Sequence, residues 1–142
     1  DMYFDQCNIA MLNASNIVKD GGVRIVAGYC SEGLGPPNIR KLYLDSLARP
    51  WPTPEEYMQE AMEGKHEDLA DVPAIYKWLK LYQKSDLIFV TEGLSKEDAK
   101  SLRINWTRSI EEAVKKALKR YGEDAKISVL PWGGMALPYL KE

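Results

Sequence analysis

The chain has 142 residues, 45% of them apolar and 28% charged, which is enough to bury a core and is the balance of a soluble globular fold. A formal net charge of -2 and a pI near 5.6 exclude a general attraction to nucleic acid. No apolar run is long enough to span a membrane.

Phe4, Cys7, Met11, Ala14 and Val18 recur at three- and four-residue spacing and predict an amphipathic first helix, ended by Gly21-Gly22. Residues 23–29 read as a buried strand, and a turn-rich loop, Cys30-Ser31-Glu32-Gly33-Leu34-Gly35-Pro36-Pro37, leads to a second helix over residues 38–48. Thr53-Pro54-Glu55-Glu56 starts a third helix with a hydroxyl cap, Pro at the first helical position and Glu three after the cap; Gly64 closes it. Leu69, Val72, Ile75, Tyr76, Leu79 and Tyr82 mark a fourth helix whose regular part begins near Asp71, because of Pro73. Leu87-Ile88-Phe89-Val90 is continuously apolar, as expected for a strand buried on both faces. A short helix capped by Ser95 follows, then an expected short strand over Leu102-Arg103-Ile104. Ser109-Ile110-Glu111-Glu112 predicts a capping box for a last helix with the stripe Ile110, Ala113, Val114, Ala117, Leu118 and Tyr121, ended by Gly122. Residues 126–130 predict a final strand before Pro131-Trp132-Gly133-Gly134.

Alternating helices and short buried strands predict an α/β fold, a three-layer Rossmann-like domain with a mostly parallel sheet flanked by helices, over residues 1–142 as a single domain. The chain opens Asp1-Met2-Tyr3-Phe4 with helix-like sequence at once, so a longer parent protein is expected, and its targeting is not readable here. Cys7 and Cys30 are too few for a disulfide framework and form no CxxC pair. They read as reduced core thiols without a redox role, which favours the cytoplasm.

In an open parallel sheet, ligands bind beyond the carboxyl ends of the strands, where the order of connections reverses. The expected strand ends carry residues 30–35, Thr91-Glu92-Gly93-Leu94 and Trp132-Gly133-Gly134. The loop Glu32-Gly33-Leu34-Gly35 either lets backbone NH groups approach a carboxylate or phosphate, or is a tight turn; it is neither GxGxxG nor a P-loop. Trp132 either meets a substrate or partner, or covers the end of the sheet. Trp51, between prolines, reads as a packing anchor or interface residue. His66, the only histidine, defines no metal site by itself, and a cleft-facing role competes with a capping one. The acids Glu32 and Glu92 have no partner in sequence that supports a paired-carboxylate mechanism. Lys115, Lys116, Lys119 and Arg120, interleaved with Glu111 and Glu112, form a solvated helix face rather than a nucleic-acid patch.

Val18-Lys19-Asp20-Gly21-Gly22-Val23 and the run from Ala27-Gly28-Tyr29-Cys30 to Gly35 resemble the carboxy-terminal domain of the nickel-pincer lactate racemase family. The likeness continues in Glu63-Gly64-Lys65-His66, Asp86-Leu87-Ile88-Phe89-Val90-Thr91, Ser109-Ile110-Glu111-Glu112-Ala113 and Val129-Leu130-Pro131-Trp132-Gly133-Gly134. The resemblance implies that a nickel-pincer nucleotide is held by a separate N-terminal catalytic domain and that this chain holds no metal or cofactor. The substrate, a 2-hydroxy acid or related compound, would then lie between the two domains, facing Gln6, Glu32, Gly33, Leu34, Gly35, His66, Trp132, Gly133 and Gly134. It further implies a hydride moved from carbon 2 and returned to either face, with this chain inactive alone. The family's Tyr-Gln-x-x-Lys segment is here Asp5-Gln6-Cys7-Asn8-Ile9; Gln6 matches, but Ile9 supplies no cation for a carboxylate. The expectation therefore shifts from lactate to a different or bulkier substrate. The rival readings are a non-enzymatic ligand-binding or regulatory α/β module and an interaction domain built on Trp51 and Trp132.

Overall fold

The computed structural model describes residues 2–47 and 49–140. A 3₁₀ turn, Phe4–Cys7, runs into helix α1, Asn8–Ser15. Strand β1, Val23–Ala27, is followed by α2, Pro37–Leu47, α3, Pro54–Met62, and α4, Val72–Lys84. Strand β2 is Asp86–Val90, α5 is Lys96–Ser101, β3 is Asn105–Thr107 and α6 is Ile110–Tyr121. The strands are all parallel, in the order β1-β2-β3, with Val26 opposite Phe89 and Phe89 opposite Trp106.

The strands' alternation of side chains divides the core in two. Val26, Leu87 and Phe89 face the larger part, with Phe4, Met11, Tyr43, Trp78 and Leu102, whereas Ile88 and Val90 face Ala113 and Ala117 of α6. Helices thus cover both faces, as a continuously apolar β2 requires. Phe4 is the aromatic hinge of the larger part, its ring 4.8 Å from Phe89, 5.1 Å from Trp78 and 5.4 Å from Tyr43. Trp51 is a packing anchor: its indole donates to the Leu47 carbonyl at 2.9 Å and stands edge-on to Tyr82 at 4.4 Å.

The larger part of the core encloses the guanidinium of Arg24. Arg24, 3% exposed, donates to Ser85 Oγ at 2.7 Å, to the Met11 carbonyl at 3.2 Å, and to the Leu81 and Ser85 carbonyls. Burial lowers the guanidinium's affinity for its proton, and these oxygens replace the lost water. A single side chain on β1 thereby ties α1 and α4 to the entrance of β2.

The caps follow local chemistry. Thr53 and Glu56 complete a reciprocal capping box. At α6 the box is half made: Ser109 accepts from the Glu112 backbone at 3.1 Å, while the Glu112 carboxylate pairs with Lys116 at 3.0 Å. The expected helix end at Ala48 lies outside the described residues.

Two expected strands are corrected. Leu102-Arg103-Ile104 is the exit of α5: Arg103 has a left-handed φ of 57, and the Ile104 amide turns back to Ala99 at 3.1 Å. The strand begins only at Asn105. Residues 126–130 join no sheet among the described residues, and Ile127 and Val129 lie exposed. Their alternation supplies one apolar face, but a strand also needs a neighbouring ladder. Without it the strand order is sequential, so no reversal of connections marks the site.

Arg40 forks onto Asp98 at 2.6 and 2.9 Å, joining α2 to α5. This bonding holds the Asp98 carboxyl below the usual carboxylate range, with help from Ser95. A folded value below the unfolded one stabilises the protein above pH about 3.9, the ordinary value for Asp, and the contribution is lost as pH falls through the folded value. Denaturant titrations of the parent and Arg40→Met should therefore differ near neutral pH and converge on acidification. A pH-independent difference contradicts this assignment.

Candidate functional site

The carboxyl ends of β1 and β2 are pressed together. A Cβ placed on Gly93 would lie 1.7 Å from the Cys30 carbonyl oxygen, so only glycine permits this approach. Thr91, buried at the end of β2, fastens the contact. Its hydroxyl donates to the Tyr29 carbonyl at 2.8 Å and accepts from the Gly93 amide at 3.1 Å. Its own carbonyl accepts from the Trp106 indole at 3.0 Å, and its amide donates to the Thr107 carbonyl at 3.1 Å. One threonine thus joins the ends of all three strands.

The loop after β1 then turns back beneath the chain's first residues. Gly33 and Gly35 have positive φ, 60 and 104, and the ring of Tyr3 lies against Gly35. The amides of Glu32, Gly33 and Gly35 donate to the carbonyls of Met2, Cys30 and Glu32, at 2.7, 2.9 and 3.0 Å. These NH groups are therefore committed within the fold, which agrees with the tight-turn alternative. Leu34 is buried in the larger core rather than facing a cleft, while the Glu32 side chain is exposed.

Gln6 stands next to this loop on the 3₁₀ turn, and its side-chain oxygen accepts from the Met2 amide at 2.6 Å. Met2 thus touches Gln6 through its amide and Glu32 through its carbonyl. The neighbouring Asp5 serves the fold. Its carboxylate accepts from the Tyr43 hydroxyl at 2.6 Å and from the Asn8 amide group at 2.8 Å, fixing the junction between the 3₁₀ turn and α1. Burial, then the adjacent Asp5 charge, pushes the Tyr43 hydroxyl well above the ordinary tyrosine range.

Trp132-Gly133-Gly134 reaches the same side of the molecule by another route. The Gly133 carbonyl accepts from the Asn13 side chain at 2.8 Å, and a Cβ on Gly133 would lie 3.5 Å from Ala10. Residues 6, 10 and 13 share one side at helical spacing, so this segment extends the Gln6 surface along α1 and is not a strand tip. Trp132 itself is 73% exposed.

His66 stands apart. Its ring packs on Tyr57 at 4.4 Å, with Nε2 3.4 Å from the Tyr57 carbonyl and 3.9 Å from Glu60, both on α3. Since α3 packs on α4, His66 belongs to that flank and joins none of the strand-end contacts above. A surface depression of about 540 Å³ lies at the opposite end of the sheet, lined by Gly21, Tyr76, Lys80 and Lys84.

Sequence reasoning missed Arg108, exposed after β3 with its guanidinium 5.6 Å from the centroid of the Trp106 ring, and the Asp5–Asn8–Tyr43 network. Arg108 had a readable signal, a cation following a short strand and preceding the Ser109 cap. The network had none, because Tyr43 is 35 positions from Asn8. Among the described residues, no three His, Cys, Asp or Glu side chains gather at metal-binding spacing, and no helix is long and apolar enough to cross a membrane.

Residues 1–137 match the family described as lactate racemase C-terminal domain. The chain belongs to that family. It is 28% identical over 116 residues to a lactate racemase of Thermoanaerobacterium thermosaccharolyticum, a match covering 81% of this chain and 26% of that protein. The solved lactate racemase apoprotein of the same organism superimposes with a TM-score of 0.75 at 25% identity, over 99% of this chain and 32% of that one. The chain thus spans about a third or less of the relatives it matches. These relatives agree with the α/β fold and its parallel sheet.

Gly93→Ala tests the joined strand ends. It should destabilise the fold by about 3 kcal/mol, the scale of a forced backbone shift in a packed interior. Gly64→Ala meets no neighbour within 4 Å and should cost only its positive-φ penalty of about 1 kcal/mol. Equal losses in denaturant unfolding contradict the assigned close approach.

Proposed function

We propose that residues 1–142 form a single domain that closes over the substrate of a racemase or epimerase acting on a 2-hydroxy acid or related compound. The reacting half is the N-terminal catalytic domain of the same longer protein, which holds a nickel-pincer nucleotide. The observation that carries this reading is the placing of Gln6, Glu32 and Trp132-Gly133-Gly134 on one side of a chain in the lactate racemase C-terminal domain family. Exposed apolar residues along the tail, including Val129, Met135, Leu137 and Tyr139, support a covering partner. Two buried thiols favour a reducing cytoplasm.

When bound, the cofactor supplies reversible uptake of hydride from carbon 2. This chain's own residues bind and enclose. Gln6 offers an amide to the substrate's carboxylate or hydroxyl. Glu32 accepts a hydrogen bond from a further hydroxyl, which favours a polyhydroxy acid over lactate. Ile9, 55% exposed, gives that surface an apolar wall with no cation, so the carboxylate's charge is met by the other domain. Closure of Trp132 and the tail excludes water around the migrating hydride.

The test is racemisation of a panel of chiral 2-hydroxy acids by the full-length, cofactor-loaded protein. One or more should interconvert, and the isolated chain should convert none. Gln6→Ala should lower kcat/KM by about 10- to 100-fold, the scale of one hydrogen bond to a charged group, and Ile9→Lys should shift preference toward lactate. Activity in the isolated chain, or a Gln6→Ala enzyme equal to its parent, overturns the reading.

A further inference from the structure

Cys7 and Cys30 are 23 positions apart in sequence, yet their sulfurs lie 3.8 Å apart, beneath the surface that carries Gln6 and Glu32. Both are enclosed, at 2% and 0% exposure. A disulfide bond is about 2.05 Å long, so the sulfurs need to approach by roughly 1.8 Å more, within reach of side-chain rotation.

The backbone at Cys30 is a second, independent sign. Its φ of 50 puts an L-residue in the left-handed region, a conformation shared among the described non-glycine residues only by Arg103. Glycine adopts that conformation without penalty. The position instead holds a thiol aimed at another thiol. Hydrogen bonding from Cys7, aided by Thr91, holds the Cys30 thiol below the ordinary thiol range, while the same bond and burial push Cys7 up. The environment thus favours Cys30 over Cys7 as the thiolate of the pair.

We propose that Cys7 and Cys30 are a reversible redox pair, closed to an intramolecular disulfide by hydrogen peroxide, that clamps the turn bearing Gln6 to the loop bearing Glu32. The Cys30 thiolate attacks one peroxide oxygen; the O–O bond breaks, hydroxide leaves and Cys30 becomes a sulfenic acid. The Cys7 sulfur then attacks the Cys30 sulfur, the S–O bond breaks, and the oxygen departs as water with the proton released by Cys7. Two thiols lose two electrons in all, and one peroxide becomes two waters. Access needs only local opening of the short 3₁₀ turn that covers the pair, since peroxide is scarcely larger than water.

The experiment is hydrogen peroxide titration of the folded 142-residue chain, followed by alkylation, non-reducing digestion and mass spectrometry. Both thiols should disappear together into one Cys7–Cys30 linked peptide pair that dithiothreitol restores. In Cys7→Ser, Cys30 should accumulate as a sulfenic acid captured by dimedone. In Cys30→Gly, which suits the local backbone, Cys7 should remain free. Thiols that survive in the folded chain and react only after guanidinium unfolding overturn the proposal, as do independent oxidation to sulfinic acids and links between chains. These readouts are covalent and need no racemase activity, so they stand apart from the proposed function.

Discussion

The contact between Gly93 and the Cys30 carbonyl governs the edge of this molecule at which the substrate surface is proposed. Two parallel strands end side by side at ladder spacing, but their loops here approach more closely than any residue with a Cβ allows. Thr91 holds that approach with a side chain that donates to one strand end and accepts from the loop of its own. Consequences then pass outward along the chain. Cys30 adopts a left-handed backbone, the next five residues turn under the amino-terminal segment, and Phe4 donates to the Gly33 carbonyl at 2.9 Å. Gln6 is placed by backbone geometry set at the far end of β2.

The larger core secures the same arrangement from below. Phe4 enters an aromatic group with Tyr43, Trp78 and Phe89, so the 3₁₀ turn is anchored by apolar burial as well as by its hydrogen bonds. Arg24 fixes the other end of α1, because its guanidinium must keep the Met11, Leu81 and Ser85 oxygens that replace water. Between these two anchors the half-buried Ala10 and Asn13 of α1 receive Gly133 of the tail. The surface proposed to meet substrate is thus anchored on the core along the 3₁₀ turn and α1, and exposed along the tail.

What was legible in the sequence was mostly local. Thr53, Ser95 and Ser109 announced helices because a cap is a bond between a side chain and a backbone group two or three residues away. Leu87 to Val90 announced a central strand because both its faces need apolar side chains. The third strand was misplaced for the opposite reason. Asn105-Trp106-Thr107 has no apolar alternation, whereas Leu102 and Ile104 look strand-like while serving the exit of α5. The tail's alternation is real, but it specifies a face without specifying a partner. Within the site, the family resemblance pointed to Gln6, the loop after β1 and the Trp-Gly-Gly segment, and these lie on one side. Leu34 within that loop and His66 of the Glu63–His66 segment, expected at the same surface, pack instead in the core and on α3. The two thiols were legible only as buried residues, since nothing in a 23-residue separation reveals that they meet.

The role proposed for this domain is an enclosing one: hydrogen-bonding groups and apolar cover, with the reactive cofactor proposed to come from the other domain. Hydrogen exchange of the full-length protein, compared with the isolated 142-residue chain, tests that claim most directly. The account predicts slowed exchange around Gln6, in residues 31–35 and in residues 129–137 when the N-terminal domain is present, and little change in α3 and α6. Protection centred on α3 or α6, with those segments unchanged, contradicts it.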